Sequence, residues 1–263
     1  MSVIASKRNV AKTQYIFTFF DLSKYTEERI KKVPKRKYRW LAQDIIATMH
    51  LIESYLMQIE NDYYKYGIKL KDKAWQAQTV IETFESLQKP LLALWNIEKY
   101  PEDMIIKWSE QINDEIRQLC RMSGIEPYEP MFILDYGAVK RVEFMAKICE
   151  LHRLIYSKTI SLPYVFRETK GSQLMKLADE ALFRISRANV KAPTTKELYE
   201  KRKEDLSVAV QCLKDMQVPA FSLFALMHYS EENMTKIAEL LTDEIKLVNG
   251  LMKSDEKRFG SLS

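Results

Sequence analysis

The chain has 263 residues, 46% of them apolar and 29% charged, with six Gly and eight Pro, a composition that excludes disorder, collagen-like repeats and a disulfide scaffold. Lys and Arg number 41 against 36 Asp and Glu, a net charge of +5 that is compatible with a polyanion partner without establishing one. The three cysteines are widely spaced and form no Cys-x-x-Cys pair, which points to a reducing cytoplasm, and neither Tyr15 to Phe20 nor Met216 to Ser230 has the length of a membrane span.

Apolar periodicity predicts eight helices, at 6–31, 37–64, 70–97, 101–121, 136–161, 170–190, 195–228 and 231–252. In the first, Phe19, Leu22, Thr26, Ile30 and Val33 form one stripe. Phe17 and Phe20 lie off it, so this helix is expected to be covered on a second side, by the other half of the chain or by another subunit. The second helix carries Leu41, Ile45, Met49, Ile52, Leu56, Ile59 and Tyr63, and the third Ala77, Val80, Phe84, Leu87, Leu91 and Leu94. Pro101, Glu102 and Asp103 suit the first turn of the fourth, which buries Ile105, Trp108, Ile112, Ile116 and Leu119. The stretch 125–134 contains Pro127 and Pro130 but also Tyr128, Met131, Phe132, Ile133 and Leu134, so it is expected to pack rather than swing. Thr194 and Glu197 have the spacing of a capping box at the start of the seventh helix. No run alternates with period two for long enough to form a sheet. The expected class is all-α, with long helices joined by short loops into antiparallel bundles.

A shift of 129 residues aligns the two halves. Leu22 falls on Leu151, Pro34 on Pro163, Lys107 on Lys236 and Glu115-Ile116 on Glu244-Ile245. In the third helix, Gln88-Lys89-Pro90 with Leu94-Trp95 falls on Gln217-Val218-Pro219 with Leu223-Phe224. A shared proline inside a helix is costly, because it removes a hydrogen bond and bends the axis. The expected organisation is therefore two tandem four-helix bundles, at 1–124 and 135–263, with 125–134 as a packed linker.

Catalytic signatures are missing. His50, His152 and His228 have no Glu three positions earlier, which excludes the di-iron helix motif, and no Arg lies four to six residues before a His. Phosphate-binding glycine loops, a nucleophile elbow, paired Cys/His sets and a Tyr-x-Asp-Asp pair are absent. Cys149 reads as a packing residue, and His50 and His152 as surface or edge residues. The expectation is no enzyme activity, no metal and no cofactor.

The charge is concentrated. Lys31, Lys32, Lys35, Arg36, Lys37 and Arg39 place six bases in nine residues with no acid, beside Tyr38 and Trp40. Lys65, Lys69, Lys71 and Lys73 form a second group broken only by Asp72. Cations also favour a helix C-terminus, so a solvated helix end is the bland alternative. Cations beside aromatic rings are the makeup of a nucleic-acid surface, which makes Lys31, Lys32, Lys35, Arg36, Lys37, Arg39, Tyr38, Lys69, Lys71 and Lys73 the candidate contacts. The matching stretch 160–168 carries only Arg167, so such a surface belongs to the first half.

Leu22-x-x-x-Thr26, Lys32-Val33-Pro34-Lys35-Arg36 and Trp40-Leu41-Ala42-Gln43-Asp44-Ile45 resemble the bundle family of proteins encoded in 23S rRNA intervening sequences and of accessory variability determinants from diversity-generating retroelements. Ser161-Leu162-Pro163 and Ser186-Arg187-Ala188-Asn189-Val190 extend the resemblance to the second half, without the Glu-Gly that commonly follows this run. The resemblance implies a cytoplasmic, non-catalytic homo-oligomer that binds a reverse transcriptase and its template RNA or cDNA, with no membrane role. An oligomeric scaffold or interaction module without nucleic acid is the alternative.

Overall fold

A computed structural model describes residues 14–33, 35–67, 69–98, 102–125, 141–190 and 192–262. The chain is all-α: no strand occurs among the described residues, and none of their helices is long and apolar enough to cross a membrane. In chain order come α1 (Gln14–Ile30), α2 (Lys35–Tyr66), a tight turn at Leu70–Lys73, α3 (Ala74–Glu98), α4 (Glu102–Ser123) and α5 (Glu143–Thr159). A single turn at Tyr164–Phe166 and a widened, π-type turn at Arg167–Gly171 lead into α6 (Ser172–Asn189), followed by α7 (Lys196–Asp215), α8 (Gln217–Ala225) and α9 (Glu231–Phe259). The beginnings of the helices predicted at 6–31 and 136–161, and residues 126–134 of the predicted linker, lie outside the described residues.

Contacts divide the chain into two compact units, Met1–Leu91 with Asp103–Ile133 and Leu92–Glu102 with Leu134–Ser263. The last turns of α3 therefore belong to the second unit. In the first unit the predicted stripe of α1 is buried. Thr26 is admitted to it because its hydroxyl accepts a hydrogen bond from the Trp108 indole of α4 at 2.9 Å, leaving no unpaired polar atom there. The same helix meets α3 through Phe19 and Phe84, edge to face at 6.2 Å, and α2 through the Tyr15 hydroxyl, which donates to Glu60 at 2.9 Å. Between α3 and α4, Gln88 donates to Asn113 at 3.1 Å, both side chains buried. In the second unit α5 packs on α6, α6 on α7, α7 on α9 and α9 back on α5. Each fully buried Leu or Ile of such a core contributes about 1.5–3 kcal/mol.

Three local differences from the predicted elements have physical causes. α3 runs through Pro90, whereas the helix expected at 195–228 is interrupted at Met216. Pro219 has no N–H for the carbonyl four residues earlier, that of Asp215, so the break falls one turn upstream of the proline. α7 is capped by Thr195 rather than Thr194, its extended backbone aiming the hydroxyl at Leu198 N, 3.3 Å away. Helical structure also starts at Tyr164, before the predicted 170. Gly171 is required where the wide turn crosses α5, since a Cβ there would lie 2.6 Å from the Thr159 methyl and 3.1 Å from the Phe166 carbonyl.

Candidate functional site

α1 ends in a tightening turn, with Lys31 N bonded to Glu27 O at 3.1 Å, Lys32 N to Arg29 O at 3.0 Å and Val33 N to Ile30 O at 3.0 Å. Val33 is buried by that turn, and Lys31 and Lys32 are left in solvent. Lys31 stands 4.0 Å from the Glu27 carboxylate, a pair exposed enough to contribute little. Arg39 is exposed on the first turns of α2. Lys35, Arg36, Lys37 and Lys73 lie outside the described residues as far as their side chains are concerned. Tyr38 leaves the helical conformation (φ −129°, ψ 29°), is buried and sets its ring 6.1 Å from that of Trp40, so it does not offer a stacking face to solvent.

Lys69 and Lys71 are exposed, with the Lys69 backbone N–H bonded to the Asp72 carboxylate at 3.3 Å. The two basic groups do not meet. Arg39 and Lys65 stand near opposite ends of α2, about 39 Å apart at 1.5 Å per residue. What does join the Lys31 end was not singled out from the sequence. The Arg29 guanidinium stands 4.6 Å from the centre of the Tyr25 ring, and Lys107 of α4 stands 5.3 Å from it. The Tyr25–Arg29 pair had the helical spacing that gives it away; Lys107 arrives from another helix and had no local signal. Glu27 and Glu28 are exposed beside these cations, so the surface is mixed rather than uniformly basic.

The second unit holds a buried polar chain instead. His50 is exposed as expected, but His152 is fully buried. Asn96, from the end of α3, donates to the Cys149 carbonyl and to His152 Nδ1, each at 3.0 Å, and accepts from Arg153 at 3.2 Å. Because the carbonyl needs a donor and Arg153 an acceptor, the amide has one orientation. His152 Nδ1 is then an acceptor, and the proton sits on Nε2, which donates to Asp179 at 2.8 Å. Tyr156 stacks on the imidazole at 4.6 Å and donates to the same carboxylate at 2.7 Å. Neither ring nitrogen is free, so the arrangement positions helices and does not present a base. A second network joins α6, α7 and α9: buried Asp205 accepts from Arg184 at 2.9 Å and from Arg187 Nε at 2.8 Å, while Arg202 bonds Asp255 at 2.6 Å and the Ala188 carbonyl.

Two carboxyl groups stand apart from these networks. Glu244 is 0% exposed and neither of its oxygens has a hydrogen-bond partner; burial pushes its pKa up to about 9, with Lys147 opposing weakly because that ammonium bonds Asp243 at 2.6 Å. Glu115 of α4 is also buried, with Oε2 unpartnered, and burial raises it to about 7 against the opposing hydrogen bond from Thr18. The Cys149 thiol is pushed up to about 12 by burial. Among the described residues no three His, Cys, Asp or Glu side chains gather as metal ligands do. Comparison of the chain with protein-family profiles, with characterised proteins and with solved structures finds no match.

Proposed function

We propose that this is a non-catalytic accessory protein, built of two tandem four-helix bundles, that holds RNA or cDNA on its first bundle for a reverse transcriptase. The tandem reading is supported by burial in a register of 129: Leu22 and Leu151, Ile45 and Leu174, Phe84 and Leu213, Pro90 and Pro219, Ile112 and Leu241, and Glu115 and Glu244 are all buried. Helices α1 and α5 end at the same point of that register, Ile30 and Thr159. A buried glutamate retained at one position of both bundles is the least expected of these pairs, because burying an unpaired carboxyl is costly.

The observation that carries the nucleic-acid reading is the junction of α1 and α2, where Lys31, Lys32 and Arg39 stand in solvent, together with Arg29 and Lys107 on the Tyr25 ring in the last turns of α1. The backbone at Lys35, Arg36 and Lys37 begins α2 within the same stretch. Lys69 and Lys71 form a separate and weaker candidate at the far end of the helix. The polymerase partnership rests on the resemblance of the α1–α2 motifs to retroelement accessory proteins.

Reversal of Lys31, Lys32 and Arg39 to Glu tests it. Melting should barely move, because exposed charges contribute little to stability. Affinity for single-stranded RNA, read by fluorescence anisotropy, should collapse, and each single Gln variant should flatten the plot of log affinity against log salt by roughly 0.7. Undiminished binding would return the segment to a solvated helix end. A reverse transcriptase that fails to co-purify with the wild type would remove the polymerase from the proposal.

The exposed phenylalanines of α1, Phe17 at 58% and Phe20 at 43%, favour one further reading, a self-associating scaffold.

A further inference from the structure

Within the second unit, α7 and α9 leave a cleft of about 230 Å³ between the start of one helix and the end of the other. Tyr199, Lys203 and Leu206 line it from α7, where spacings of four and three residues place them on one face, and Met252 and Lys253 line it from α9. The walls are tied together. Arg202 joins α7 to Asp255 of α9 at 2.6 Å and to the Ala188 carbonyl of α6, and the Tyr199 ring stands 6.4 Å from that of Phe259. A cleft held in this way has little freedom to lose when it is filled.

The lining carries donors that the protein itself does not use. Tyr199 is 4% exposed, yet its hydroxyl has no hydrogen-bond partner among the described residues. A buried hydroxyl is nearly always paired, so the acceptor for this one is water or a ligand in the cleft. Lys203 and Lys253 are exposed, and neither stands within ion-pair distance of a carboxylate among the described residues. The Asp255 carboxylate is engaged by Arg202, which leaves Glu256 as the acid of the lining that opposes an anion. Leu206 and Met252 add an apolar surface. We propose that this cleft binds a compact organic acid, its carboxylate held by Lys203, Lys253 and the Tyr199 hydroxyl and its apolar body against Leu206 and Met252. The volume is below the roughly 300–1,000 Å³ of drug-sized sites, which restricts that body to about one ring or a short branched chain. An inorganic anion would leave the apolar surface unused, and a neutral molecule would leave both ammonium groups unpaired. The site owes nothing to the basic junction of the first unit, so it stands whether or not that junction binds a strand.

NMR of protein labelled at its methionine methyl groups tests this, with 3-phenylpropionate as the probe. Met252 reports on the cleft, and Met227, 92% exposed just past α8, reports on indiscriminate association with apolar surface. Met252→Leu and Met227→Leu assign the two signals. The probe should shift the Met252 signal saturably and leave that of Met227 in place. The neutral 3-phenylpropionamide and inorganic phosphate should each bind roughly tenfold more weakly, the first for want of charge and the second for want of an apolar body. Tyr199→Phe should weaken binding of the acid about tenfold, and Lys203→Gln and Lys253→Gln roughly three- to fivefold each, while Glu256→Gln should strengthen it. Because the Tyr199 hydroxyl bonds nothing in the protein, Tyr199→Phe should melt with the wild type; should it fail to fold, the two Lys variants carry the same test. A Met252 signal that does not move, one that moves equally with the amide, or a shift confined to Met227 would overturn the proposal. Binding of the acid that tolerates the Tyr199 and Lys substitutions would overturn it as well.

Discussion

Replacing Glu244 by Gln should stabilise the protein at neutral pH and change how stability depends on pH. In the folded chain the carboxyl keeps its proton to about pH 9, whereas its ordinary value is 4.5. Between these two values the unfolded chain has released a proton that the folded chain holds, so stability falls as pH rises, by about 1.4 kcal/mol per pH unit. By pH 7 the accumulated loss is about 3 kcal/mol, a large part of a typical domain's stability. Gln has nearly the same shape and no titration, so the variant should match the wild type near pH 4.5 and exceed it by about 3 kcal/mol at pH 7. Glu115 titrates in the same direction up to about pH 7, so the single variant should roughly halve the slope below pH 7, and Glu115→Gln with Glu244→Gln should flatten it. Urea denaturation at a series of pH values measures this directly. Parallel curves for the wild type and Glu244→Gln would refute the reasoning, because they would mean that Glu244 ionises in the fold with a partner.

Asp205→Ala should destabilise the protein by about 3–5 kcal/mol in chemical denaturation, since it leaves Arg184 and Arg187 half-buried without their shared carboxylate. An Asp205→Ala protein within 1 kcal/mol or so of the wild type would show that Glu180 or solvent satisfies both guanidinium groups. All three cysteines are buried, and Cys149 is held as a neutral thiol by burial, so a thiol reagent at pH 8 should modify the native protein only as fast as it opens. Rapid labelling of Cys149 without denaturant would contradict that placement.

The parts of this fold that were legible in the sequence are those set by local chemistry. The stripes of α1 to α4 are buried at every position except Tyr63, which is only half-buried near the end of α2, because a period of three and four is a property of each helix by itself. The break at Met216 was less legible, since a proline marks where a bond is lost only four residues upstream. His152 was misplaced for a different reason. As an isolated residue, a histidine without an acid nearby in sequence belongs at a surface, and its partners Asn96 and Asp179 lie 56 and 27 residues away. The basic segment was visible as charge, but its membership was not: Tyr38 turned inward, and Lys107 joined from another helix. The buried state of Glu115 and Glu244 was not legible: the shift of 129 aligns the two residues, but neither has an apolar pattern of its own that says it lies inside.

The inward turn of Tyr38 has a consequence for what the basic junction can distinguish. A nucleobase is recognised by a ring lying flat against it or by donors and acceptors set at its edge, and the described side chains of the Lys31–Arg39 stretch supply only flexible cations. The ring of Tyr25 nearby is already engaged by Arg29 and Lys107. If the junction binds a strand as proposed above, these side chains would grip it by its backbone and leave the order of bases to be read elsewhere.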